Sequence, residues 1–529
     1  MISATVVFIY LAIVLYIGIF AFRRGKSTGE DFFVASRSLG QWVFLLSLFG
    51  TNMTAFAILG SSGLAYQRGV GVYGLMASAS GIVIPLSIFF IGTRLWAIGK
   101  KFGHTTQVEY FRDRWECSGT GTVIFALTAL MMIPYIIIGM MGGGQTLESL
   151  SDGKVPYWLG GLVVAIVVML YVFFGGMRGV AWVNTFQTVM FLVFGAIAFY
   201  LISKNLGGFD KIVGDIAADP KTQPLLTRAR ITPEEFFSYS FIPLSAMMFP
   251  HMAIMCMTAE KVTSFKKTVI FYPICIMLIW LPSVFLGIVA AQQFPGLKLG
   301  ESDDVLLRLL SANTAPLLAG VLGAAIMACV MATDSQIMAL GTMFTKDVFA
   351  YYGGGKRFGE AAQIWTGRAF VIVITLVSYL IALQLKDQKS IFDVAIRFGF
   401  TGFASLAPIM LAALFWKRST KHAALTATLW VAAGMIGLAI LQSVSNDMAP
   451  KPGQAPVQIF PALGDLFLRT PGSVTMFGYL PVVFMCLGSA AIVLVVSHVT
   501  RPPGMATIQK YFATKAQLWT AGLTTIAAV

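Results

Sequence analysis

Long apolar runs constrain this 529-residue chain more than any other feature. About thirteen stretches can cross a bilayer, near 5–22, 38–66, 71–98, 119–142, 157–177, 182–204, 236–259, 268–294, 315–346, 366–384, 393–416, 422–443 and 473–498. In hydrocarbon every backbone N–H and C=O must be paired within the protein, so spanning segments are helices or a closed barrel. Barrel strands alternate in polarity over about 10 residues. These runs stay apolar for about 20, which selects helices. Composition agrees: 11% of residues are charged, against about 25% in a soluble domain. The expected fold is an all-α polytopic membrane protein of about 13 transmembrane helices.

The net charge of +14 follows from the membrane rather than from nucleic acid. About 23 of the 37 Lys and Arg fall on one side of the topology, in loops that include Arg23, Arg24 and Lys26, Lys100 and Lys101, and Lys417 and Arg418. That side is expected to be cytoplasmic. The N-terminus then lies outside and the C-terminus inside, in a cell (plasma or inner) membrane. The basic cluster follows the first apolar run, the reverse of a secretory signal. The five cysteines are not closely paired, so neither a metal nor a disulfide framework is indicated. No kinase, zincin or nucleophile-elbow pattern is present, and no enzyme is expected.

Spans two to eleven divide into two sets of five. Leu46 to Gly63 opens the first and Phe241 to His251 the second, and both are interrupted by Gly, Pro or small polar residues. Matching interruptions in two halves point to an inverted-repeat (5+5) transporter core; kinked helices packing through small residues are the plainer alternative. The expected division is an extra helix and cytoplasmic loop (1–37), a first repeat (38–206), an extracellular loop (207–235), a second repeat (236–418), two further helices (419–500) and a short tail (501–529).

Asp334 stands far from either end of its span. A lone carboxylate in hydrocarbon costs at least several kcal/mol, so it needs a cation, a proton or a wet cavity. Hydrogen bonding to Ser or Asn neighbours is the plainer reading.

Four stretches carry a resemblance to the sodium:solute symporter family, over about Glu30 to Lys421. They are Ser47-Leu-Phe-Gly-Thr-Asn-Met-Thr-Ala55, Tyr171 to Gln187 with its Gly-Gly and Trp-x-Asn-x-x-Gln, Asp334-Ser-Gln with Phe344-Thr-Lys-Asp347, and Ala407-Pro with Phe415-Trp-Lys-Arg-Ser-Thr420. The resemblance implies a leucine-transporter-type core with sodium between its first and eighth helices. It places carbonyls of Gly50 and Met53 at the ion. In a one-gap register the family's adjacent hydroxyls fall at Ala332 and Thr333 and Cys329 adds a carbonyl; without the gap they fall at Met331 and Ala332, which cannot ligate through side chains. Asn184 replaces the Asp expected on the fifth core helix, so Asp334 is read as the relocated charge and a further ligand. Asn52 and Asn184 are assigned to coupling.

The resemblance also implies a solute cavity at Thr54, Ala57, Tyr73, Ala77, Phe249, His251, Met252 and Phe400. His251 reads as a solute or proton contact, or as a cap on carbonyls freed by Pro250. The expected function is symport of sodium with a small organic solute: a monocarboxylate, an amino acid or a pantothenate-like molecule. Proton coupling, uncoupled flux and a membrane sensor or interaction protein with vestigial transport are the alternatives.

Overall fold

The computed structural model describes residues 2–25, 28–298, 300–386, 391–450 and 454–512, the side chains of 392 and 398 excepted. Lys26 and residues 513–529 of the expected tail lie outside them. The chain opens with α1 (Ile2–Arg23). A bent pair follows, α2 (Gln41–Asn52) and α3 (Phe56–Arg68), with 60° between its halves. Next come α4 (Gly71–Phe102), a short α5 (Gln107–Trp115), α6 (Ser118–Leu150) and α7 (Tyr157–Asn205). A second bent pair, α8 (Pro233–Met247) and α9 (Pro250–Met257), bends by 46°. It leads into α10 (Ser264–Gln293), α11 (Pro316–Ala350), α12 (Gly354–Leu385) and α13 (Ala395–Phe415). α14 (Lys421–Val444), α15 (Pro481–Val499) and a short α16 (Met505–Tyr511) complete the described helices discussed below.

Among the described residues, ten helices are long and apolar enough to span, or twelve with each bent pair as one. α7 has 49 residues, which at 1.5 Å per residue would run about 74 Å, more than twice the hydrocarbon thickness. Gly176 breaks it, with φ 53° and ψ −151°. A Cβ there would meet the Phe32 carbonyl at 2.7 Å, so glycine serves both the turn and the close contact. Counting the two arms of α7 separately is compatible with the sequence count of about thirteen.

Each bent pair has a local cause. α2 stops where Met53 turns extended (φ −98°, ψ 102°). α8 stops at Phe249 (φ −59°, ψ 119°), because Pro250 bars its predecessor from helical geometry. The two pairs open successive sets of five spans. An odd number of crossings separates them, so the second set enters from the opposite face, as an inverted repeat requires. Three two-residue strands, Val457–Gln458, Leu468–Arg469 and Val474–Thr475, form a small antiparallel sheet between α14 and α15. Strands this short leave no alternating pattern, and the last of them lies inside the expected span 473–498, whose helix begins only at Pro481.

At the end of the bundle that carries the basic clusters, α5 ties several helices together. Arg114 donates to the carbonyls of Ala413 (3.1 Å) and Trp416 (3.0 Å). α16 docks on the same helix: Lys510 and Tyr511 both bond Asp113. Arg94 and Arg114 lie over the ring of Phe512. His104 joins the cluster, 3.2 Å from the Tyr511 hydroxyl and 3.4 Å from Asp113. Burial holds its imidazole below the usual range, and Lys510 adds to that; Glu109 and Asp113 pull the other way. Burial alone would raise Asp113, but bonds from Lys510 and Tyr511 outweigh it and hold the carboxyl below its ordinary value. Both groups therefore resist protonation in the docked state. Their contribution is complete above the unfolded values and fades as pH falls, first for His104 below about 6.5 and then for Asp113. Amide exchange across 505–512, corrected for intrinsic rate, is expected to quicken as pH drops from about 7.5 to about 5. Unchanged protection would remove these groups from the docking contact.

Candidate functional site

Asp334 is fully buried. α11 tightens into a 3₁₀ turn at Met331–Thr333 and resumes its α geometry at Asp334. Such a change of winding inside a helix often marks a functional hinge. Three donors meet the carboxylate: Tyr171 Oη at 2.9 Å, Asn184 Nδ2 at 3.1 Å and Ser335 Oγ at 3.0 Å. The network reaches α2 through Thr51, whose Oγ1 is 2.8 Å from Ser335 Oγ and 3.3 Å from Asn184 Nδ2. Gln336 Nε2 donates to the Thr51 carbonyl at 3.0 Å, just before the break. The end of α2, both arms of α7 and the turn in α11 thus share one buried polar cluster.

A hard cation takes oxygen ligands. The cluster offers the Asp334 carboxylate and the hydroxyls of Ser335, Thr51 and Tyr171. The Asn184 side-chain oxygen is buried with no protein partner, which leaves one acceptor free for an ion or a water. This donor set fits sodium. The hydrogen bonds to Asn184 and Ser335 also match the plainer expectation for Asp334, and the two readings are compatible.

The other expected ion ligands are arranged differently. Thr333 Oγ1 bonds back to the Val330 carbonyl at 3.2 Å and packs on Gly139 of α6. A Cβ on Gly139 would sit 1.7 Å from that oxygen, so the hydroxyl faces α6 rather than the break. Cys329 approaches the break with its thiol, 3.4 Å from the Met53 carbonyl and 3.1 Å from that of Thr54. The Gly50 carbonyl accepts from Met53 N at 3.2 Å. Gly139→Ala is expected to destabilise the protein by about 1–3 kcal/mol through overpacking. Loss of thermal stability would show it; an unchanged midpoint would mean that Thr333 moves freely.

A small cavity of about 30 Å³, measured as room for the centre of a water-sized molecule, opens beside the two breaks. Asn52, Met53 and Phe400 line it. Asn52 Nδ2 is held by Tyr272 Oη at 2.8 Å, and its carbonyl accepts from Tyr135 at 3.1 Å. Tyr73 and Ala77 are not among the lining residues; Leu75, Met76, Ser80 and Ile84 of the same helix are. The face is offset because successive helical residues turn by about 100°. Thr54, Ala57 and Met252 are buried outside the lining. Phe249 stacks on Tyr135 at 5.4 Å and lies 4.8 Å from the His251 ring. Neither His251 nitrogen has a protein partner, so it does not cap the carbonyls near Pro250. Thr51, Tyr171 and Ser335 join Asp334 in the buried polar cluster without having been singled out in the sequence, although each falls inside a stretch that carries the resemblance.

Two helices broken beside a buried acid, in oppositely oriented sets of five spans, define the core of a secondary transporter. A family model described as the sodium:solute symporter family matches residues 32–431, and the chain belongs to that family. An uncharacterized symporter of Bacillus subtilis (strain 168), YhjB, is 26% identical over 77% of this chain and 83% of its own length. A sodium/proline symporter of Staphylococcus aureus (strain USA300 / TCH1516) is 24% identical over 79% of this chain and 82% of its own length. In structure the chain is similar to a Na+-coupled sialic acid symporter, with TM-score 0.73 at 15% identity, over 95% of this chain and 98% of that one. A nucleobase-cation-symport-1 family transporter gives 0.54 at 13% identity, over 90% and 98%. The chain is a sodium-coupled symporter, and sodium is its co-transported ion.

Proposed function

We propose that the protein carries sodium and a small organic solute inward by alternating access, with the sodium held at Asp334, Ser335 and Thr51. The observation that supports this most is a buried carboxylate on α11 whose hydrogen-bond network reaches, through Ser335 and Asn184, the Thr51 hydroxyl in the last turn before the break in α2. A cation there would draw the two helices together. An ion shifts a conformational equilibrium only through unequal affinity for the two states, and a site divided between two elements supplies that inequality. Tyr171, Asn184 and Ser335 all donate to the carboxylate, which suits its charged form and so favours sodium over proton coupling. Inward sodium then contributes about 2.3 kcal/mol per 100 mV, plus its concentration gradient.

The basic loops support an N-terminus outside and a C-terminus in the cytoplasm of the cell membrane. For the solute, the resemblance supports a monocarboxylate, an amino acid or a pantothenate-like molecule. The test is thermal unfolding of the purified protein in sodium against potassium at equal ionic strength. Sodium should raise the midpoint. Identical curves, together with stabilisation by acid pH, would turn the reading to proton coupling.

A further inference from the structure

We propose that the cavity takes a solute without formal charge: an apolar body with an uncharged polar head such as an amide. This narrows the solute classes above and rests on the sodium site proposed at Asp334. No lining residue is Asp, Glu, Lys, Arg or His. Phe56 and Phe400, 5.0 Å apart, form an aromatic wall. The polar contribution is small and neutral, from Asn52, Ser80, Tyr239, Ser245 and Trp280. Trp280 is 3% exposed, and its indole N–H has no protein partner. An unpaired buried donor is destabilising, and a carbonyl oxygen on the solute would satisfy it.

Charge balance leads to the same class. The proposed ion site brings its own carboxylate, so sodium with Asp334 is already neutral. No charged side chain lines the cavity to offset a charge on the solute. A carboxylate seated beside Phe56 and Phe400 would be unmatched, at a cost of at least several kcal/mol. An ammonium would be equally unmatched, and an amino acid would bring both groups. An amide head pairs with Trp280 and the serine hydroxyls and carries no such penalty. One positive charge would then cross per cycle for each sodium.

The full-length protein can be tested with probes of one shape: phenylacetamide, phenylacetate, phenethylammonium and the zwitterion L-phenylalanine. Each is titrated against the unfolding midpoint in sodium and in potassium. Phenylacetamide should stabilise the protein at about tenfold lower concentration than any charged probe. Trp280→Phe keeps the ring and removes the N–H; it should raise the half-saturating concentration about tenfold. Ser80→Ala, which disturbs packing less, should raise it in the same direction. Equal or tighter binding of a charged probe overturns the proposal. So does a protein stabilised by sodium but by none of the probes. The sodium arm without a probe stands apart: its failure overturns the ion site and the charge balance built on it, whatever the probes do.

Discussion

Asp334→Asn is expected to abolish the stabilisation by sodium while leaving the helical bundle folded. The substitution keeps the side-chain volume and loses the charge. The amide oxygen can still accept from Asn184 and Ser335, and its NH2 can donate to the Tyr171 hydroxyl, which turns to accept, so the fold should survive. A neutral amide oxygen cannot neutralise a buried cation. At about 100 times its dissociation constant, sodium should add about 2.7 kcal/mol to the wild type and nothing measurable to the variant. Sodium-driven uptake in vesicles should fall to background alongside. A variant that keeps the full sodium shift would remove Asp334 from the ion site. Asn184→Asp is the informative companion. It places a second carboxylate on the family's usual helix, and paired with Asp334→Asn it should restore part of the sodium response.

The second large effect is expected at the basic end. Arg112 donates to the Asp347 carbonyl at 2.8 Å and stands 3.6 Å from its carboxylate. Thr106 holds the same carboxylate at 3.0 Å. Asp347 is fully buried and Arg112 is 6% exposed. Removing one partner of a buried ion pair leaves an uncompensated charge, which typically costs about 3–5 kcal/mol. Arg112→Met should therefore lower stability by roughly that amount, read as a fall in the unfolding midpoint. The double variant Arg112→Met/Asp347→Leu should recover most of the loss, because apolar replacement of both partners is often neutral or better. A single variant as stable as wild type would show that water reaches Asp347.

Spans and breaks were legible in the sequence because their causes are local. An apolar run of about 20 residues has few alternatives, and Pro250 restricts the residue directly before it. The buried polar cluster around Asp334 was only half legible. Asp334 and Asn184 stood out as a charge and an amide in apolar surroundings. Thr51, Tyr171 and Ser335 did not, since a lone Thr or Ser in a membrane helix usually bonds to its own backbone and a Tyr passes for packing. Thr333 follows from a one-gap alignment register, with Met331 and Ala332 as the ungapped alternative. The 3₁₀ turn at Met331–Thr333 rotates that choice: it sends Thr333 to α6 and brings Ser335 to α2. No one-dimensional pattern reports such a change in winding. The face of α4 that lines the cavity was misjudged for a related reason, because the phase of a mostly apolar helix leaves little imprint on its sequence.

Tyr171 and Asn184 lie thirteen residues apart on α7, which on a straight helix would separate them by about 20 Å. Both nevertheless bond one carboxylate. Only the turn at Gly176 brings them back to the same place. The acid's coordination shell is thus written partly in the geometry of a glycine that never touches it. A substitution at Gly176 would act as an ion-affinity mutation at a distance, and a search for altered sodium dependence should include that position beside the ligands.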